Sequence, residues 1–211
     1  MTNKSNNRGT IIYIHGYQSD VQSGKIPKLK EKFGADYQIL TRSYSPDPDI
    51  VLQQLHDFVN QATSKNLIFI GSSLGGFYSV YFCLIYGGRA YIMNPAPQPH
   101  LGLKEKTSDK TGMKTTFRGA PYDFKDAYLD KLEKLAQEII TKIENDPSLT
   151  DRIDVFINRD DEVIPQEAFL WYLDRFEDDR NVHFFEEGGH QVENLEEVFG
   201  VMGRRMVEEQ I

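Results

Sequence analysis

The segment Gly71-Ser72-Ser73-Leu74-Gly75 fits the pattern G-x-S-x-G in one register only, with Ser73 at its centre. A serine on this spacing becomes a nucleophile when a strand turns sharply into a helix, because the turn lifts the hydroxyl clear of the sheet. The flanking glycines let neighbouring backbone pass without a Cβ clash, and the helix N-terminus points at the site. The surroundings match this requirement. Leu67–Ile70 is a short apolar run immediately before the motif, and Phe77–Ile85 is apolar almost all round immediately after it. The plainer alternative is a glycine-rich strand-to-helix turn that serves packing alone.

A serine hydroxyl is almost wholly protonated at neutral pH and needs a base. Of the five histidines, His56 lies in a helical stretch, His183 lies inside a strand-like run, and His100 belongs to a long irregular segment. His15 ends the first apolar run, where a structural role is expected. His190 follows Glu186-Glu187-Gly188-Gly189 on a glycine-rich loop, which can carry an imidazole over the carboxyl ends of the strands, where open α/β sheets place their ligands. The base needs a carboxylate to hold its tautomer. Asn158-Arg159-Asp160-Asp161-Glu162-Val163-Ile164-Pro165 offers three in a row, of which Asp161 is the expected partner and Asp160 the close rival. The order Ser73, Asp161, His190 is the one α/β-hydrolases use. An oxyanion hole would draw one backbone N–H from Leu74, after the nucleophile, and one from Tyr17 in His15-Gly16-Tyr17-Gln18-Ser19.

These residues must be carried by strands alternating with helices. Apolar, β-branched runs at Thr10–Ile14, Tyr37–Arg42, Leu67–Ile70, Arg89–Met93, Arg152–Ile157 and Val182–Phe185 predict six strands. Helical spacing appears at Asp49–Ala62, Phe77–Ile85, Gln166–Phe176 and Val192–Val207. The alternation predicts an α/β fold: a three-layer α/β-hydrolase-type arrangement around a mostly parallel twisted sheet with right-handed crossovers. Pro95–Ser148 interrupts the rhythm with prolines, a Lys/Thr/Gly-rich stretch and a helix near Tyr122–Glu144. The expectation is one domain over 1–211 with a lid insertion at about 96–148, the alternative being a plain surface excursion.

Composition sets the outer bounds. A chain of 211 residues with 39% hydrophobic and 27% charged residues suits one soluble domain. The net charge of −8 argues against nucleic acid as a partner. One cysteine, Cys83, excludes an internal disulfide framework and fits a reducing compartment, while the polar start MTNKSNNRGT lacks the apolar core of a secretory signal. A cytoplasmic location with no membrane span is therefore expected. No histidine pair has the H-x-x-x-H spacing of a metal site, and neither a metal nor another cofactor is expected.

Taken together, these strings resemble the small bacterial YqiA-like esterases, an offshoot of the α/β-hydrolases. The matching residues are His15-Gly16-Tyr17 with Ser19, Ser23 and Lys25, then Gly71-Ser72-Ser73-Leu74-Gly75-Gly76-Phe77-Tyr78. Asn94-Pro95-Ala96 with Pro99, Asp161-Glu162-Val163, and Glu186-Glu187-Gly188-Gly189 before His190 complete them. Relatives often carry a residue between the paired glycines and the histidine, which this chain lacks, and its insertion Leu101–Asp146 is longer than theirs. The resemblance implies a minimal serine hydrolase acting on short acyl esters or thioesters, with Ser73, Asp161 and His190 as its triad. An amidase or peptidase with the same triad, and a non-catalytic binding protein that keeps the pocket, are the alternatives. A cysteine hydrolase is disfavoured because Cys83 falls mid-helix, away from any elbow.

Overall fold

The computed structural model describes residues 8–107, 123–175 and 179–209. Six strands form one sheet: β1 (Gly9–Ile14), β2 (Tyr37–Leu40), β3 (Leu67–Ser72), β4 (Arg89–Met93), β5 (Ile153–Asn158) and β6 (Val182–Phe185). Their order is β2-β1-β3-β4-β5-β6, and every neighbouring pair runs parallel. All six strands fall where the apolar runs predict them. β1, β3 and β5 are buried along their whole length, as near-continuous apolar strands between two helical layers must be.

The helices are α1 (Lys25–Phe33), α2 (Pro48–Gln61), α3 (Leu74–Tyr86), α4 (Pro99–Thr107), α5 (Ala127–Asn145), α6 (Gln166–Leu173) and α7 (Leu195–Glu208). One face of the sheet packs on α1 and α7 through Ile26, Leu29, Phe33, Leu195, Val198, Phe199 and Met202. The other packs on α2, α3 and α5 through residues such as Leu55, Phe77, Phe82, Leu135 and Ile139. Two helices lie outside the spacing pattern. α1 presents only Ile26, Leu29 and Phe33 among lysines and a proline, and α4 carries Gly102 among polar residues.

The insertion expected over 96–148 is divided by this packing. α5 buries Leu132, Leu135, Ala136, Ile139 and Ile143 and serves as the crossover helix between β4 and β5, a full member of the layer. Among the insertion's other described residues, those of α4 pack against α5. Lys110, Lys114, Phe117 and Tyr122, noted in the sequence, lie outside the described residues.

The order places the switch of direction between β1 and β3. The chain leaves β1 for β2 on one side and returns to β3 on the other, so the loops after β1 and β3 diverge and open a crevice at the carboxyl ends.

The amino ends are held by charge. The Asp154 side chain is wholly buried in β5, where it accepts from Arg89 Nη2 at 3.0 Å, Arg205 Nε at 2.8 Å and His183 Nε2 at 3.0 Å. Burial alone would raise its carboxyl pKa, but the bonds from His183, Arg205 and Arg89 and the Arg205 charge outweigh it and hold the group below the usual carboxylate range. Its contribution to stability is therefore whole above the unfolded carboxylate pKa of about 3.9 and is lost as the pH falls from there through the lower folded value. Asp154→Ala, which strands three buried donors, is expected to cost about 3–5 kcal/mol at neutral pH. Thermal denaturation should show the wild-type advantage over this variant shrinking below about pH 4.

Candidate active site

Ser73 joins β3 to α3 with φ 53° and ψ −123°, a conformation in which a residue with a Cβ is strained. Its surroundings impose it. A Cβ on Gly71 would lie 2.3 Å from the Gly75 carbonyl oxygen, and one on Gly75 would lie 2.0 Å from that of Ile14. The first turn of α3 is thus pressed against β1 and β3 at a distance only glycine permits. Ser73 N–H donates to Met93 O at 3.0 Å, and Ser73 O accepts from Gly76 and Ala96 at 3.0 and 3.2 Å. Its hydroxyl makes no capping bond to α3. The backbone is fixed on both sides, and the hydroxyl takes no part in capping the helix.

The loop after β1 approaches the same serine. A Cβ on Gly16 would stand 3.2 Å from Ser73 Cβ and 3.8 Å from Ser73 Oγ. Tyr17 follows Gly16 directly, and Leu74 follows Ser73 at the head of α3. The first amides of a helix have no partner within the helix itself. The Tyr17 ring meets Phe124 edge-on at 5.5 Å, and Phe124 meets Tyr128 in the same way at 5.5 Å. An aromatic wall therefore runs from the loop after β1 into the insertion, and partial burial pushes the Tyr17 phenol pKa up.

His15 supports this loop. Tyr44 N–H donates to its Nε2 at 3.2 Å, which leaves the proton on Nδ1, and Nδ1–H donates to Gly16 O at 3.0 Å. Burial lowers its pKa and keeps it neutral. His56 meets the Tyr86 hydroxyl on the surface, and His183 pairs with Asp154 at the far end of the sheet.

His190 is the histidine that meets a buried carboxylate at the carboxyl ends of the strands. Its Nδ1 lies 2.9 Å from Asp161 Oδ2 and 3.1 Å from Oδ1, with the Asp161 side chain fully buried and that of His190 12% exposed. Asp161 Oδ1 also accepts the amides of Val163 and Ile164 at 2.8 and 2.9 Å, which fixes the carboxylate before the imidazole meets it. Nδ1–H donates to the acid, so Nε2 is the free base. Asp160, the rival in the sequence, turns instead to the amides of Gly188 and Gly189 at 3.1 and 2.8 Å.

Two asparagines do work that the sequence did not assign. Asn94, at φ 41° after β4, donates through Nδ2 to Gly189 O at 2.8 Å and accepts Asn158 N–H at 2.8 Å. Asn158, the last residue of β5, donates to the same Gly189 carbonyl at 2.9 Å. Since Ala96, two residues beyond Asn94, donates to Ser73 O, one short segment binds both the serine turn and the histidine loop. The signal was an asparagine directly after each of two apolar runs. Among the described residues no group of three or more His, Cys, Asp or Glu is placed to hold a metal ion, and no helix is long and apolar enough to cross a membrane.

The parallel sheet with its switch point, the strained serine turn and the histidine loop after the last strand define an α/β-hydrolase fold. Mouse alpha/beta hydrolase domain-containing protein 10 superposes with a TM-score of 0.69 at 13% identity, over 94% of this chain and 90% of that one. Est1E from Butyrivibrio proteoclasticus, solved with ferulic acid bound, gives 0.69 at 15% identity over 98% and 91%. The esterase domain of a Rhodothermus marinus protein gives 0.69 at 13% over 98% and 89%. At these identities the likeness establishes the fold.

The chain belongs to the uncharacterised protein family UPF0227, whose model matches residues 10–200, in keeping with the YqiA-like motifs of the sequence. A UPF0227 protein of Vibrio cholerae serotype O1 is 28% identical over 99 residues, 44% of this chain and 55% of that protein. The match thus spans about half the length of the curated relatives.

The contacts at the turn give a direct test. Gly75→Ala is expected to abolish recovery of folded protein, since its methyl would meet Ile14 and His15 backbone oxygens. Gly102→Ala, with nothing within 4 Å, should gain about 0.5–1 kcal/mol in denaturant titration.

Proposed function

We propose that this protein is a serine hydrolase that cleaves short acyl esters or thioesters through an acyl-enzyme. The observation that carries the reading is the Asp161–His190 pair at the carboxyl ends of the strands, on a loop that the segment Asn94–Ala96 ties to the strained turn of Ser73, whose hydroxyl caps nothing. In this reading the chain is one α/β-hydrolase domain, and α4 belongs to its lid. The presence of esterases among the solved structures of this fold is in keeping with it.

Ser73 Oγ attacks the substrate carbonyl while His190 Nε2 takes its proton. Asp161 holds the imidazole in the tautomer that leaves Nε2 basic and stabilises the imidazolium that forms. The amides of Leu74 and Tyr17 receive the oxyanion. Collapse of the tetrahedral intermediate expels the alcohol or thiol, which leaves with the proton from His190. A water molecule then gives a proton to His190 and attacks the acyl-serine, and the carboxylic acid departs as Ser73 regains its hydrogen.

Labelling with a fluorophosphonate probe tests the assignment. The wild type is expected to label and Ser73→Ala to remain blank. Turnover of p-nitrophenyl acetate should fall by about 10⁴-fold in Asp161→Asn, where the wrong tautomer is favoured. A folded wild type that neither labels nor turns over any ester, thioester or amide would overturn the reading in favour of a binding protein. Amide turnover exceeding that of the matched ester would move it to an amidase.

Cys83 plays no part in this chemistry. Its side chain is enclosed in α3, where burial pushes the thiol pKa up to about 12. Iodoacetamide is expected to leave the native protein's esterase activity intact and to alkylate Cys83 only after denaturation, as mass spectrometry would show.

A further inference from the structure

Asp161 stands between two carboxylates that also reach the histidine loop. Asp160 accepts Gly188 N–H through Oδ2 and Gly189 N–H through Oδ1, at 3.1 and 2.8 Å. Glu162 Oε2 accepts the backbone N–H of His190 itself at 2.9 Å. Arg159 extends the pattern, since its amide donates to Phe185 O at 2.8 Å and its guanidinium pairs with Glu186 at 3.2 Å. The loop needs such holding. Gly188 and Gly189 have φ of 146° and 55°, so two freely rotating residues precede the imidazole that must meet Ser73.

We infer that Asp160 and Glu162 are positioning residues, which clamp the amides of Gly188, Gly189 and His190 so that the imidazole is held against Asp161 with Nε2 directed to the nucleophile. The inference rests on the hydrolase reading above and deepens it. Both side chains are at the surface, where carboxylates are ordinarily left in water. Here Asp160 uses both oxygens and Glu162 one on main-chain donors, and bonds to an ionised acceptor are about twice as strong as neutral ones. The Asp160 carboxyl pKa is correspondingly held below the usual range, by the Gly189 amide first and the Gly188 amide next. A bond to the His190 amide fixes the Cα from which the ring hangs, something the Asp161 contact to the ring alone does not do. Misplacing a catalytic group by about 1 Å can cost on the order of 10²-fold in rate.

The test compares Glu162→Ala, Glu162→Gln, Asp160→Ala and Asp160→Asn in the full chain by p-nitrophenyl acetate kinetics and by the far-downfield proton resonance of His190 Nδ1–H. Glu162→Ala is expected to lower kcat by about 10²-fold, with KM little changed. Glu162→Gln keeps a carbonyl acceptor for the amide and should recover most of that loss. Asp160→Asn, with one acceptor in place of two, should fall between wild type and Asp160→Ala. The downfield resonance is expected in the wild type and in Glu162→Gln, and broadened or lost in Glu162→Ala.

An unchanged kcat in Glu162→Ala, a loss confined to KM, or a glutamine variant no better than alanine would overturn the clamp. If the alanine variants do not fold, the glutamine and asparagine variants decide by the same criteria. The resonance separates this inference from the one beneath it. A wild type that turns over no ester but loses the signal on Glu162→Ala would retain the clamp and sink the hydrolase, whereas a signal that survives in Glu162→Ala sinks the clamp whatever the activity.

Discussion

The closest constraint in the molecule is steric: α3 begins so near β1 that the only residue tolerated at position 75 is one without a Cβ. From that approach the rest of the site follows. With α3 pressed on Ile14 and His15, the chain leaving β3 has no room for a relaxed turn. Ser73 takes a positive φ. The strain is sustained because the turn is over-determined, with Met93, Gly76 and Ala96 all bonded to its backbone. A rigid α/β sheet, buried on both faces through its central strands, is what can sustain such a contact without yielding.

The histidine is held by different physics. The loop that carries it is short of side-chain packing and rich in glycine, so it is fixed by hydrogen bonds aimed at its backbone. Asn94 and Asn158 converge on one carbonyl, and Asn194 Nδ2 donates to Asn158 Oδ1 at 3.0 Å, which fixes the direction of the Asn158 amide. Neutral amides suit this task. They supply donors to a carbonyl without adding charge, while the carboxylates of Asp160 and Glu162 take the loop's N–H groups.

The strands were legible in the sequence because each is an apolar, β-branched run bounded by polar residues, and burial on two faces leaves no other composition available. The serine turn and the Asp161–His190 contact were foreseeable because Ser73, Asp161 and His190 each come after such a run, where a parallel sheet gathers its loops. Two helices were not. α1 packs only Ile26, Leu29 and Phe33 and its lysines read as loop, and α4 carries no helical pattern, while α5, foreseen as a helix, read as lid because amphipathicity does not say which layer receives the apolar face. Three consecutive carboxylates read as a solvated loop with one useful member. Hydrogen bonds to main-chain amides leave no compositional trace, so the roles of Asp160 and Glu162 became visible only once their oxygens had partners.

β5 links the two ends of the fold. Asp154 is its second residue and Asn158 its last, so about 13 Å separates the ionic network from the histidine loop at the usual rise per residue. The loop from Glu186 to Asn194 runs between two elements that β5 controls. At its start, β6 is held in register with β5, Phe185 opposite Asn158. At its finish, α7 packs on the sheet, and Arg205 near its far end is bound to Asp154. Arg205 lies ten residues along α7 from Leu195, about 15 Å at the helical rise, yet it fixes the axis on which the loop ends. The charged cluster thus stays far enough away to leave the imidazole's electrostatics to Asp161, while determining where the loop's second end must lie.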